Sequence, residues 1–498
     1  MQDVVKYLKW EITERGARII GCDRTFKGAM EIPSRLDGVP VVEIGEKAFS
    51  ERHSLKSVVI PDSVEVVGGW AFDHCDELEE LRLGTGIKTI ENGAFAECYS
   101  LQSVVIPGSV EVVGMLAFAE CGRLEELHLG AGIKKIEKGA FGCCKSLKRV
   151  AIPDSVEVVG EAAFTECSEL EELQLRTGIK TIEKGAFCKC SSLKFVVIPG
   201  SVEVVGEGAF AYCGRLQELH LGAGIKKIED AAFIGCQSLK RVAVPNSVED
   251  VGEGAFFACS ELEELQLGAG IKRIAKSDVR ECSSLKSVAI PDSVEVVGER
   301  AFAWCSGLND LRLGRGIKKI EEYAFGECSS LKSVAIPDSV EVVGDRAFAW
   351  CSGLKELRLG RGIKKIEKCA FAMSVSLKAV AIPDSVEVGG ESAFAFCHRL
   401  KELRLGTGIK TIEKGAFIEC YSLRSVVIPG SVEVVGKCAF AECGRLQELH
   451  LGAGIKKIEK GAFSDCSSLR RVVLPSTLEA LARGAFDESV DLVVDDER

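Results

Sequence analysis

The stretch LQSVVIPGSVEVVGMLAFAEC, Leu101–Cys121, runs directly into GRLEELHLGAGIKKIEKGAFGCC, residues 122–144, and both contain the signature Ala-Phe-x-x-Cys. Working outward from this pair, Phe recurs every 23 residues from Phe49 through Phe72 and Phe95 to Phe256, and again from Phe302 to Phe486. Val279 is the one break in 20 positions. Self-similarity at a fixed step of this size marks a solenoid whose coils share one core. The 498 residues therefore predict one repeat array, not the roughly three globular domains that length alone suggests. The expected organisation is an N-terminal cap of short strands over 1–46, an array of 46-residue double repeats over 47–492, and an acidic tail over 493–498.

Two spacings alternate inside each coil. Leu81-Arg82-Leu83 alternates apolar and polar as a strand does, whereas Ala71, Phe72, Cys75 and Leu78 lie three to four apart, which predicts a helical or 3-10 return. Ten prolines, Pro61 to Pro475, recur every 46 residues just after the strand, where the missing N–H ends a sheet ladder. The expected fold class is an α/β repeat: a solenoid of about 20 turns with short strands on the inner face and short helical or 3-10 turns on the return side.

The pattern L-x-x-L-x-L-[P/G]-x-x-[V/I]-x-x-[I/V]-[G/E]-x-x-A-F-x-x-C, seen in Leu101–Cys121 and Leu331–Cys351, resembles the BspA-like (Treponema-type) leucine-rich repeats over roughly residues 41–492. The resemblance implies a curved, non-enzymatic scaffold that binds proteins. It also implies an alternative role as a microbial cell-surface adhesin.

The residue 16 after each Phe alternates in sign without exception: Glu65, Lys88, Glu111, Lys134 and onward to Glu479. If coils stack about 4.8 Å apart, every interior charge has an opposite neighbour on either side. A slip by one coil would set like charges against each other, so the alternation also guards the register.

Eight and ten residues after Phe lie the strand positions expected to point outward. Every second coil places an acid and a polar or basic partner there: Glu80 with Arg82, Glu126 with His128, Glu172 with Gln174, and Glu218 with His220. The series continues with Glu264 and Gln266, Asp310 and Arg312, Glu356 and Arg358, Glu402 and Arg404, and Glu448 and His450. Intervening coils carry small or apolar pairs such as Ser103 with Val105 and Ala379 with Ala381. Such a face offers anchors for a partner's charged groups and apolar ground for their stems, so we expect a protein ligand on the concave strand face. A passive structural spacer is the further alternative. A net charge of −11 argues against nucleic acid as the partner. No apolar run suits a membrane span, and a monomer is expected.

Seventeen of the 22 cysteines, beginning Cys75, Cys98, Cys121, sit three residues after Phe. One thiol per coil suits a buried ladder better than a disulfide framework. Neither Cys143-Cys144 nor Cys188-Lys-Cys190 has metal-ligand spacing, and His128 and His220 lie four coils, about 19 Å, apart. Catalysis needs one asymmetric constellation, which a uniform ladder does not supply. The expectation is no enzyme, no cofactor and no metal. The many thiols and the absence of an apolar h-region in Met1–Glu14 lead us to expect a cytoplasmic location, with cell surface or secretion as the alternative.

Overall fold

Val104 and Leu127 are buried while the residues on either side of each are exposed, and this alternation defines the face strands Ser103–Val105 and Glu126–His128. The computed structural model describes residues 4–494. Contacts divide the chain into two compact units, Met1–Val248 and Glu249–Arg498. Each is a stack of coils in which face strands pair in parallel, in the first unit Ser103 with Glu126 and Val105 with His128. A second ladder of two-residue strands runs beside it, Val112 pairing with Thr89 on one side and Lys135 on the other.

The core lies between the two ladders and the turn side. Phe rings stack face to face down each unit, at centroid distances from 4.7 to 5.6 Å in the first and from 4.9 to 5.5 Å in the second. The rings follow the strand repeat of about 4.8 Å, which leaves them slightly offset, the arrangement their quadrupoles favour.

The expected helical return is not there. The one helical element among the described residues is a 3-10 turn at Val4–Tyr7. Each return is a chain of tight turns with left-handed residues two before and two after Phe, for example Gly93 and Glu97 around Phe95, or Leu116 and Glu120 around Phe118. The hydrogen bonds explain why. Gly93, Phe95 and Glu97 give their N–H groups to Met115, Ala117 and Ala119 of the next coil, at 2.7–2.8 Å, while Ala94 and Ala96 close turns within their own coil. A helix would use all these donors internally and leave adjacent coils unjoined. The three-to-four spacing of apolar residues therefore arises from turns. The fold is a β-solenoid of leucine-rich-repeat type, without the α component of an α/β repeat.

The 46-residue period has a steric cause that the charge pattern alone does not reveal. In eight doublets, from Pro61 with Gly84-x-Gly86 to Pro429 with Gly452-x-Gly454, the first coil carries Pro and the second Gly-x-Gly; after Pro153 the first of these glycines is replaced by Arg176. A Cβ on Gly84 would lie 2.4 Å from the carbonyl oxygen of Pro61, and one on Gly86 would lie 2.0 Å from that of Asp62. The same approach recurs at Gly314 over Pro291 and Gly316 over Asp292. The Asp after Pro ties the doublet further: Asp62 Oδ1 accepts from Thr85 N at 2.7 Å, and Asp338 Oδ1 from Arg361 N at 2.7 Å. Face pairing follows the doublet over much of the chain, though Ser287–Ala289 pairs over three residues on both sides. Arg149–Ile152 pairs over four residues with Glu172–Leu175, but Glu172 alone bridges to the following strand at Phe195.

At the start, Leu8–Ile12 pairs antiparallel with Ala17–Cys22, which joins Val39–Ile44, while Gly28–Glu31 extends the face ladder onto Leu55–Val59. At the other end Asp491–Val494 pairs with Arg471–Leu474, a coil three residues shorter than the rest. Of the expected tail, residues 495–498 lie outside the described residues.

Candidate functional site: the strand face

The Glu and Lys of the alternating column lie in line. Lys88 N donates to Glu65 O at 2.8 Å and Glu111 N to Lys88 O at 2.9 Å, with Lys134 N on Glu111 O next. Where the side chains pair, they do so in one direction, a Lys with the Glu before it: Lys88 with Glu65 at 3.3 Å, Lys134 with Glu111 at 3.6 Å, Lys318 with Glu295 at 2.9 Å. Two equal partners per charge were expected. Within the doublet one neighbour wins, and Glu111 is engaged by Lys134 and not by Lys88. The Lys hydrogen bond holds the Glu295 and Glu341 carboxyls below their ordinary range.

On the opposite side of the coil, the thiols form the expected ladder with a feature the spacing does not show. Each Sγ donates to the carbonyl of the Phe one coil back: Cys75 to Phe49 at 3.3 Å, Cys98 to Phe72 at 3.2 Å, Cys121 to Phe95 at 3.3 Å. Burial pushes the Cys98 thiol well above its ordinary pKa and that of Cys121 up to about 12. Cys144 and Cys190 belong to this ladder, whereas Cys143 turns out toward Glu166 at 3.8 Å.

The face residues stand where the alternation puts them. In the first unit Glu80, Arg82, Glu126, His128, Glu172, Glu218 and His220 are exposed, and so in the second are Asp310, Arg312, Glu356, Arg358, Glu402, Arg404, Glu448 and His450. Each acid and its partner flank one Leu, buried as in Glu80-Leu81-Arg82 everywhere but at the half-buried Leu403. Ion pairs among them are few and solvated: Arg149 to Glu172 at 3.3 Å, and Arg312 to Asp310 at 3.7 Å. Shallow hollows form above the intervening coils. One in the first unit is bordered by Glu126, His128, Arg149 and Glu172, and one in the second by Gln266, Ser287, Ala289 and Arg312.

One contributor escaped the reading of outward positions, and it lies beside the apolar ground that the intervening coils provide. Apolar side chains of the intervening coils stay open to solvent, with Val105 60% and Phe195 45% exposed, and the Phe195 ring lies 5.4 Å from that of His220. The position seven after Phe is also exposed, and in the second unit it reads Lys332, Lys355, Lys378, Lys401. Repetition of one sign at that offset was the available signal. Trp304 and Trp350, by contrast, belong to the turn side. Trp304 stacks on the Arg280 guanidinium at 4.6 Å, and both tryptophans lean on Tyr323.

Stacked parallel strands, one Leu or Val buried per strand and a tight-turn return define a leucine-rich-repeat solenoid. The family model described as "BspA type Leucine rich repeat region (6 copies)" matches overlapping segments from 42–171 to 390–493, and the chain belongs to that family. A search of curated proteins finds no match. Among solved structures, the chain is similar to a leucine-rich repeat protein from Bacteroides ovatus at 23% identity, covering 100% of both chains, with a TM-score of 0.41. It is also similar to a leucine rich cell surface protein from Faecalibacterium prausnitzii at 23% identity, covering 80% of this chain and 93% of that one, with a TM-score of 0.35. A leucine rich repeat protein from T. pallidum is 28% identical over 52% of this chain and 88% of its own, with a TM-score of 0.32. No helix among the described residues is long and apolar enough to cross a membrane.

Proposed function

We propose that the chain is a non-enzymatic scaffold that recognises a protein partner through its strand face. The observation that carries this reading is the open apolar strip between charged coils. Val105 in the first unit and Val427 in the second are each 60% exposed; in the second unit Ala289, Ala335 and Ala381 hold the same strand position, and the bordering acids are mostly without a close cation among the described residues. Apolar ground ringed by polar groups is the composition of recognition surfaces, and a repeat sheet offers it at many equivalent points.

A photoreactive residue at Ser103 or Ala289, set against one at Glu120 on the turn side, tests the reading. Partner adducts are expected from the face positions alone, and the pair Glu126→Lys with Glu218→Lys is expected to weaken association roughly tenfold with an unchanged melt. Equal adducts from Glu120, or association indifferent to charge reversal, would leave the passive spacer as the better description.

We place the chain in a reducing compartment, because the buried S–H groups act as donors and a disulfide would remove them. Oxidised thiols in protein taken from its native source, together with labelling on intact cells, would favour the surface adhesin instead.

A further inference from the structure

The basic row of the second unit departs from every other charged column of the chain. In the first unit the position seven after Phe reads Glu125, Lys148, Glu171, Lys194, and neighbours pair: Lys148 with Glu125 at 2.7 Å, Lys194 with Glu171 at 3.4 Å. In the second unit Lys332, Lys355, Lys378 and Lys401 are stacked in register. Lys355 N donates to Lys332 O at 2.9 Å, Lys378 N to Lys355 O at 3.4 Å, and Lys401 N to Lys378 O at 2.8 Å. All four are exposed, and none has a carboxylate within 4.0 Å among the described residues. Like charges on adjacent coils repel here, where neighbours in the first unit attract.

A second basic column runs alongside, three residues further along each strand. It holds Arg312, Arg358 and Arg404 on alternate coils, with Ala335 and Ala381 between them. Arg312 leans toward Asp310 at 3.7 Å, whereas no salt bridge forms at Arg358 or Arg404 among the described residues. The acids of the patch, Asp310, Glu356 and Glu402, stand between the two columns and are outnumbered.

We propose that this patch binds an acidic segment of a partner protein, laid across the strands in polyproline-II form with a carboxylate at every third residue. The proposal rests on the strand-face reading above and names its chemistry. Arginines on alternate coils recur about every 9.6 Å. A polyproline-II chain advances about 9.3 Å in three residues and brings every third side chain back to the same side. A β-strand returns a side chain to one face about every 6.8 Å, which is out of step with the arginines. Each guanidinium presents a fork matched to a carboxylate, the alanines leave room for pyrrolidine rings, and the lysine row adds longer-range attraction.

The test is fluorescence anisotropy of a labelled (Glu-Pro-Pro)n peptide of about 15 residues, titrated with the full chain at low and physiological salt. The expected result is saturable, salt-sensitive binding. It should weaken roughly tenfold in Arg358→Ala with Arg404→Ala and stay unchanged in Lys148→Ala with Lys194→Ala. A peptide of the same composition with its glutamates grouped should bind about fivefold more weakly. These side chains are exposed, so thermal melts should match the wild type. Absence of binding, equal affinity for the arginine variant, or tighter binding of heparin or oligothymidylate than of the peptide would overturn the proposal. If the peptide fails while Ser103 and Ala289 still crosslink a partner, the acidic-segment inference falls and the face reading stands. If the crosslinks fail as well, both fall.

Discussion

The thiol of Cys98 donates to the carbonyl of Phe72, 3.2 Å away and one coil behind its own Phe95. That bond accounts for a cysteine rather than another small apolar residue under each ring, because the Phe carbonyl is buried and needs a donor. Ser374 occupies one ladder position, is fully buried, and its Oγ has no partner. The C–O bond is shorter than C–S, so the hydroxyl stops short of the carbonyl. The bond one coil later, from Cys397 to Phe371, is also longer, at 3.6 Å.

From this, Ser374→Cys is expected to stabilise the second unit by about 1 kcal/mol, and Cys98→Ser to destabilise the first by about 1–3 kcal/mol. Denaturant titration of each variant against wild type checks both signs. Ser374→Ala is the control: a ladder that served only as apolar filling would let it stabilise as much as Ser374→Cys, whereas the S–H bond requires the larger gain from Cys.

Gly316 faces the carbonyl oxygen of Asp292 with no space for a side chain, its Cβ position lying 2.0 Å from that atom. The obstacle is backbone and cannot swing aside. Gly316→Ala is therefore expected to cost about 3 kcal/mol or more and to accelerate amide exchange in the doublet around it. Gly122, which has nothing within 4 Å of its Cβ position, serves as the control, and Gly122→Ala should leave exchange unchanged.

Asp278 stands where other coils have Ala, beside Val279 in place of Phe. Its side chain is 2% exposed, and Oδ1 has no partner. Burial raises its pKa to about 8, opposed by hydrogen bonds from the Phe256 and Ala255 main chain, with the Asp250 carboxylate adding a little to the rise. The unfolded chain ionises this group near pH 4, so between about pH 4 and pH 8 the folded state holds a proton the unfolded state has released. Stability of the second unit is then expected to fall as pH rises through that window, by up to about 1.4 kcal/mol per unit, and to level off above it. Asp278→Ala should abolish the slope. The readout is amide exchange at Ser277 and Val279, whose N–H groups bond to the next coil at 2.9 and 2.8 Å, corrected for intrinsic rates.

The alternating Glu and Lys column is solvent-exposed along its length, with the Lys318 side chain 61% and that of Glu295 56% exposed. Salt screens such pairs, and side-chain entropy offsets much of their attraction. Raising NaCl from about 0.05 to about 1 M should therefore leave the melting temperature nearly unchanged. A large drop would mean that the column contributes to stability beyond guarding the register.

Much of the architecture was open to inspection in the residues themselves, because a Phe every 23 positions admits few folds. The outward set from Glu80 to His450 followed from alternation around one Leu. The return side misled because three-to-four spacing is common to helices and to successive tight turns. What separates them is backbone handedness, and at two residues before Phe the left-handed site holds Trp70, Leu116 or Tyr323 as readily as Gly93. The recurring Gly-x-Gly just after the strand was the clearer signal, since at that offset it appears only in the coil that lies on Pro. The lysine row went unseen because only two positions per strand were taken as outward, while the residue before them is exposed too.

The pairing of a proline coil with a glycine coil also sets the step in which such a chain changes length. Removing or copying one coil would place proline over proline, where the backbones approach too closely for a ring, or glycine over glycine, where they would part. Gain or loss of a whole doublet leaves every such contact intact. The chain can thus be lengthened or trimmed in even numbers of coils, and its near-identical stretches 98–141 and 420–463 are separated by whole doublets.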